Sequence, residues 1–276
     1  MSNPLVSIII PTKNSSRTLE ACLESINNQS YKNNETIIVD QESADTTRQI
    51  AAKYNATIIS VPESKFYSPP TKSRNTGAKM AKGGILYHLD SDMSLSPDLL
   101  KDAVGILNSH PEIGALIVHE EDVIDGFWSK AKALERRCYW GNDDLESARI
   151  VRRSLFEQVG GYDEGISSGE DFDIHRRYRK SAHIGFCKEV VYHYQGHLSF
   201  FRLVSKKFYY GRTARLYFAK RYGSGQSIIA KQVGCYIRHY TLFLKHPIIG
   251  ASAVLLRTSE ITAGMVGMLK KSKTYA

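Results

Sequence analysis

Along the first part of the chain, short unbroken apolar runs alternate with stretches in which apolar residues return every three or four positions. The runs "VSIII" (6–10), "ETIIVD" (35–40), "ATIISV" (56–61), "GILYHLD" (84–90) and "GALIVH" (114–119) are rich in β-branched residues. Continuous rather than alternating hydrophobicity predicts parallel strands covered on both faces. Between the runs, Leu19, Cys22, Leu23 and Ile26 fall at i, i+3, i+4 and i+7, and Leu99, Leu100, Val104 and Leu107 make a second stripe. That is the spacing of helices with one buried face. Strand and helix in turn predict an α/β fold built on a mostly parallel, doubly wound, Rossmann-like sheet.

The pattern then loosens. Leu155, Phe156 and Val159 predict a short helix stopped by Gly160-Gly161, a further helix is expected to start near Glu170, and "EVVYHY" (189–194) reads as a strand. After His197 the composition changes, which divides the chain into an α/β domain over 1–197 and a helical extension over 198–276. Pro247 opens an apolar stretch as long as a membrane span, with Arg257 and Glu260 at its middle. An arginine at that depth costs about 2.5 to 3.5 kcal/mol, so helices lying in a membrane interface are expected rather than a simple span.

Charge sharpens this division. The formal net charge of the 276 residues is +9, but from Leu198 onward 14 Lys and Arg face one acid, Glu260, a local balance of +13, while the remainder carries −4. Twelve Phe and Tyr are interleaved with these bases, as in "SFFRLVSKKFYYGRTARLYFAKRY". Such a segment suits an anionic membrane surface, a nucleic acid or a solvated basic helix. The four cysteines form no CxxC pair and no disulfide framework, so reduced thiols are expected and no zinc site is. The chain reaches "LVSIII" without a basic leader or cleavage site, which predicts a protein of the cytoplasmic face, peripheral or monotopic on the cell membrane.

The chemistry begins at "ILYHLDSDMSLSPDLL" (85–100), where a buried strand ends on Asp90 and Asp92. Helix capping does not account for them, because Ser96-Pro97-Asp98 supplies an N-cap hydroxyl, a first-turn proline and an acid closer to the next helix. Two carboxylates one residue apart repel unless a cation lies beside them, and hard oxygen ligands suit Mg²⁺ or Mn²⁺. The carboxyl ends of strands are also where open α/β sheets place their ligands. Neither GxGxxG nor GxxxxGK[ST] occurs, so a dinucleotide or P-loop site is excluded. A nucleic-acid-binding protein would use the basic segment but gives no reason for acids at strand ends.

Four pieces occur in one order: "SIIIPTKNSSRTLEACLESINNQSY", "IIVDQESADTT", "SRNTGAKMAKGGILYHLDSD", and "VGGYDEGISSGEDFDIHRR" followed by "VVYHYQGH". Together they resemble the family 2 glycosyltransferases of A-type nucleotide-sugar fold, over about Leu5 to His197, and the basic tail is similar to that of membrane-associated members. The resemblance implies that Pro11, Thr12, Asp40 and Arg74 line the donor pocket. It implies that Asp90-Ser91-Asp92 is the DxD metal motif, with Asp90 and Ser91 also on the donor, Asp90 and Asp92 as residues for Mn²⁺ or Mg²⁺, Asp92 favoured over Asp90 as the direct ligand, and His193 completing the metal and diphosphate site. Asp171 of "GED" is similar to the catalytic base, with Glu170 beside it. Arg149 is a candidate for a donor phosphate or acceptor contact, or a structural ion pair, and His197 is the rival of His193. The chain departs from the family at Gln41, where a second aspartate is common, and at Ser15, where an acid is frequent. UDP and GDP donors therefore both stay open.

Transfer from a nucleotide sugar needs a cation to offset charge on the leaving diphosphate and one carboxylate to take the acceptor's proton. No second carboxylate stands out as a nucleophile, which predicts inversion by single displacement. The expected enzyme transfers sugar to a hydroxyl of a lipid-linked or membrane-proximal glycan. A polyprenyl (dolichyl) phosphate sugar synthase is the alternative, and a metal-dependent nucleotidyltransferase a more distant one.

Overall fold

Residues 3–62, 70–166, 169–221 and 226–269 are described by a computed structural model, with side chains outside the description from 213 to 228. The first apolar runs form β1 (Val6–Thr12), β2 (Asn34–Asp40), β3 (Thr57–Ser60) and β4 (Ile85–His88). They are joined by α1 (Leu19–Asn27), α2 (Thr47–Lys53) and α3 (Thr71–Met80). Then follow β5 (Met93–Leu95), α4 (Leu99–Ser109), β6 (Ile113–Asp122), α5 (Phe127–Tyr139), β7 (Ile150–Arg152), α6 (Arg153–Gln158), α7 (Glu170–Arg179) and β8 (His183–His193). The C-terminal helices are α8 (Phe200–Arg221), α9 (Gln226–Arg238), α10 (Tyr240–Lys245) and α11 (Pro247–Leu269).

Two compact units result, one of residues 1–120, 146–165 and 170–194, the other of 121–145, 166–169 and 195–276. The first holds the eight-stranded sheet, in the order β3-β2-β1-β4-β7-β6-β8-β5. Strands β1 to β4 pair parallel, as their unbroken hydrophobicity predicts. Successive residues of β1 alternate between two covered faces. Ile8 and Ile10 pack with Leu19, Leu23, Leu100 and Val104 of α1 and α4, whereas Ile9 packs with Ala78, Phe156 and Ile174 of α3, α6 and α7. Each such side chain contributes about 1.5 to 3 kcal/mol on burial.

Past β4 the sheet departs from the expected pattern. Strand β7 is antiparallel to both β4 and β6, and β5 is antiparallel to β8. Both β5 and β7 are three residues long, too short to show a period, so the sheet is mixed where the sequence reads as parallel or irregular. The start of α4 also differs. Asp98, not Ser96, is its N-cap residue, and the Ser96 carbonyl accepts from Gln29 Nε2 at 2.7 Å. Asp98 instead accepts from the Ser30 hydroxyl at 2.6 Å, which ties the helix to the loop after α1. Gly160 and Gly161 do end α6, both with positive φ.

The second unit gathers α5 with the C-terminal helices. Helices α8 and α11 cross where Gly211 lies against Gly264 and Gly267 lies against Phe208, so that an added Cβ at Gly211 or Gly267 would run into backbone. Within the unit, Glu135 of α5 is buried. One oxygen accepts from Tyr139 and Tyr236 hydroxyls at 2.8 and 2.6 Å and meets Arg257 Nε at 2.8 Å, and the other meets Lys132 Nζ at 2.7 Å. Glu260 is equally buried, 3.2 Å from Arg257 and 3.4 Å from Lys132. The two charges that interrupt the last apolar stretch thus point inward to partners on α5, which satisfies buried ions by pairing. No described helix is long and apolar enough to cross a membrane. Residues 222–225 and 270–276 of the basic segment lie outside the described residues, as do Ser167 and Ser168 of "VGGYDEGISSGED".

Candidate active site

The parallel strands deliver their carboxyl ends to one edge. Thr12 ends β1, Asp40 ends β2, and Leu89-Asp90 follow β4. Asp40 is fully buried and its carboxylate is already shared: it accepts from Thr12 Oγ1 at 2.9 Å, from Ser43 Oγ at 2.6 Å and from Ser43 N at 3.0 Å. Asp40 therefore shapes the turn after β2 and ties it to the end of β1, beside Pro11, which pairs with Val39. The loop after β1 reaches the third strand end as well, since Ser91 donates to Ser15 Oγ at 2.9 Å.

Arg74 enters from α3, where Gly77 lies so close to Ile9 that a Cβ would clash, allowing the helix to close on β1. Only 1% of the arginine is exposed. Its Nη2 contacts Asp90 Oδ1 at 2.7 Å and its Nη1 contacts Asp171 Oδ1 at 2.5 Å. Arg149, just before β7, repeats the arrangement from the other side, with Nη1 2.9 Å from Asp90 Oδ2 and Nη2 3.2 Å from Asp171 Oδ2. Two carboxylates and two guanidinium groups thus alternate in a closed ring. Glu170 lies at its edge, 3.7 Å from Arg74. Tyr162 receives the Arg74 guanidinium on its ring face at 5.2 Å, an arrangement that favours a desolvated cation.

The ring sets the local electrostatics. Burial by itself would raise the Asp90 carboxyl, yet Arg149 and Arg74 pull it down to about 2. Glu170 moves the other way, raised by burial and then by the negative charge of Asp171. His88, on β4 beneath the ring, is buried between Phe156 and Tyr162, and burial together with the two arginines keeps it neutral by lowering its pKa.

Asp92 stands apart from the ring. Its side chain is 43% exposed, and its Oδ2 lies 3.4 Å from Nε2 of His193 at the end of β8, whose Nδ1 is 3.2 Å from Glu120 Oε2. Burial opposes a charge on His193, but Asp92 and Glu120 outweigh it and raise the imidazole to about 9. Among the described residues no three His, Cys, Asp or Glu side chains gather as a metal-binding group. A Mg²⁺-type ion does not require one, because it is held by one or two protein ligands with phosphate oxygens and water completing its shell. Asp92 fits that pattern, and His193 beside it would join as a ligand by giving up its proton to the ion; Asp90 is paired with the two arginines.

The structure thus brings Arg74, Asp90, Arg149, Glu170 and Asp171 into one cluster, with Asp92 and His193 beside each other nearby. His197 belongs to the second unit, where it lies 3.8 Å from Asp125. Sequence reasoning missed Glu120, Tyr162 and His88. Glu120 carries a signal like that of Asp90, an acid where the apolar run "GALIV" gives way to "HEED". Tyr162 and His88 carry none, because their contacts come only with the fold.

The mixed α/β sheet, whose parallel strands end along one edge, has the glycosyltransferase A-type fold. The sequence model of glycosyl transferase family 2 matches residues 7–160, and the chain belongs to that family. An uncharacterized glycosyltransferase of Haemophilus influenzae is 27% identical over 180 residues, 62% of this chain and 60% of the relative. The chain therefore spans less than two thirds of that relative. The Escherichia coli protein WfgD, described as a UDP-Glc:alpha-D-GlcNAc-diphosphoundecaprenol beta-1,3-glucosyltransferase, is 34% identical over 92 residues, 33% of this chain and 36% of WfgD. Two solved structures share the fold at 18% identity. S. aureus TarS in complex with UDP-GlcNAc matches 95% of this chain and 90% of its own at a TM-score of 0.57. The mannosyltransferase PcManGT of Pyrobaculum calidifontis, in complex with GDP-Man and Mn²⁺, matches 95% and 76% at a TM-score of 0.59.

Proposed function

We propose that the chain is an inverting, metal-dependent glycosyltransferase that moves a sugar from a UDP- or GDP-sugar to a hydroxyl of a lipid-linked or membrane-proximal glycan. The observation that carries this reading is the ring in which Arg74 and Arg149 hold Asp90 and Asp171 against each other. It joins the DxD aspartate at a strand end to the acid of "GED", although 81 positions separate them in sequence. Asp171 is the base that takes the proton of the attacking hydroxyl, and Glu170 flanks it. A single displacement needs no protein nucleophile.

Asp92 and His193 would hold Mn²⁺ or Mg²⁺, which when bound supplies charge neutralisation for the leaving diphosphate. Pro11, Thr12 and Asp40 form the base side of the donor pocket, Asp40 acting through the turn it holds, with Arg74, Asp90 and Ser91 toward the sugar and phosphates. Arg149 and Arg74 are bidentate cations of the kind that bind phosphate oxygens. A sugar hydroxyl on a lipid carrier, rather than a bare lipid phosphate, is favoured as acceptor by the described activity of WfgD. The basic residues after Leu198 suit attachment to an anionic, cytoplasmic membrane surface.

A panel of UDP- and GDP-sugars with Mn²⁺, Mg²⁺ or chelator tests the proposal. One donor is expected to release free nucleoside diphosphate only with the cation, and the product is expected to have the anomeric configuration opposite to the donor's. Release of pyrophosphate, or full turnover in excess chelator, would overturn it.

A further inference from the structure

Helices α9, α10 and α11 are apolar on two sides. Their inner side is used inside the second unit, where Cys235, Tyr236, Leu242 and Phe243 pack with Cys138 and Tyr139, and Leu256 packs with Leu198 and Leu203. The outer side carries Val233, Ile237, Tyr240, Leu244 and Ile248, which follow one another at intervals of four, three, four and four residues through the breaks at His239 and His246. All five are exposed, on three successive helices. Ile237, Leu244 and Ile248 are 70%, 68% and 73% exposed. Leu255, Met265 and Leu269 of α11 are exposed as well. A helix apolar all round belongs in an apolar environment, and a contiguous exposed patch of this kind marks a surface that is covered in use.

Two observations identify what covers it. First, the rim is basic. Arg238 and Lys245 are exposed beside these apolar residues, and the single acid after Leu198, Glu260, is turned inward to Lys132 and Arg257. Two copies of such a face would repel each other, whereas lipid phosphates would not. Second, the polar residues of α11 have their hydroxyls spent. Ser252 donates to Ile248 O, Thr258 to Val254 O, Ser259 to Leu255 O and Thr262 to Thr258 O. Hydroxyls bonded within their own helix can leave water without losing a partner, the arrangement required wherever protein meets hydrocarbon. With Arg257 and Glu260 paired inside and apolar groups along the outer side, this edge of the unit has the polarity of a monotopic membrane element.

We propose that the outer face of α9, α10 and α11 is the membrane-insertion surface of this protein. Ile237, Tyr240, Leu244 and Ile248 enter the acyl boundary of an anionic phospholipid leaflet, and Arg238 and Lys245 sit at headgroup phosphates. The inference rests on the proposed membrane-surface reading and replaces a diffuse basic tail by one named edge.

The test uses the full chain. All four native cysteines are buried, so Leu244→Cys can be labelled selectively with an environment-sensitive fluorophore. On vesicles of phosphatidylglycerol and phosphatidylcholine the label is expected to shift to the blue and to be quenched by brominated acyl chains. In flotation, Leu244→Ser with Ile248→Ser is expected to weaken binding roughly tenfold or more, even in high salt, since apolar burial is what it removes. Arg238→Gln with Lys245→Gln is expected to weaken binding at low salt and little at high salt. Unchanged circular dichroism and unchanged release of nucleoside diphosphate from the donor would show that these surface variants fold. If wild type floats but the label stays unquenched and the serine variant binds equally, this edge is overturned and membrane attachment stands. If wild type ignores the vesicles, both fall, while donor turnover is judged separately. A dimer in solution that Leu244→Ser with Ile248→Ser disrupts, without vesicle binding, would assign the face to a second copy and overturn the proposal.

Discussion

Asp90 and Asp92 leave the same strand end and have different partners. Asp90 faces two guanidinium groups, while Asp92 faces His193 and solvent. The alternation of a strand explains this, because residues two apart share a side only while the backbone stays extended, and the chain turns here between β4 and β5. At the same scale, Asp171 is the residue whose role is most exposed to test. Asp171→Asn keeps the shape of the side chain at the start of α7 but cannot accept a proton. Turnover is expected to fall roughly 10²- to 10⁴-fold, the loss typical of a general base, with donor affinity little changed. Steady-state kinetics beside calorimetric donor binding checks this. A parallel loss of binding and rate would make Asp171 a structural member of the ring instead.

At the scale of elements, the pairing of α5 with α11 rests on charge as much as on apolar contact. Burial disfavours the ionised Glu135, but Lys132 and Arg257 outweigh it and lower its pKa from 4.5 to about 2. A carboxyl whose folded pKa is depressed contributes stability above its unfolded pKa and loses it as pH falls toward the folded one. The helical unit is therefore expected to lose about 3 kcal/mol of stability from this group between pH of about 4.5 and about 2. Thermal unfolding of wild type and Glu135→Gln across that window checks it. The variant should be the less stable protein near neutrality and the difference should shrink with acid. A difference independent of pH would mean that the pair contributes by packing alone.

At the scale of the whole molecule, residues 121–145 join the C-terminal helices rather than the sheet. A chain cut after His197 would keep α5 but lose α8 to α11. Glu135 would then lose Arg257 and Tyr236, and the apolar side of α5 at Cys138 and Tyr139 would lose Cys235 and Phe243. Such a truncation is expected to aggregate or to melt earlier than the full chain, as judged by gel filtration and thermal unfolding. A monodisperse, equally stable product would show that α5 holds without its partners.

The strands β1 to β4, the helices between them and the strand-end acids were legible in the sequence, because each depends on a pattern within about a dozen residues and on burial on both faces of a parallel sheet. Asp171 and His193 came instead from the order of motifs, which carries information no local period holds. Only the tertiary structure decided that Arg149 joins Arg74 in a ring, since Arg149 is 59 positions from Asp90 and reaches it through β7, a strand of three residues antiparallel to its neighbours. The same holds for Arg257, whose partner Glu135 lies on a helix far earlier in the chain. A charged residue in an apolar run reads as exposed or costly when only its neighbours in sequence are considered, and long-range pairing is what offsets that cost.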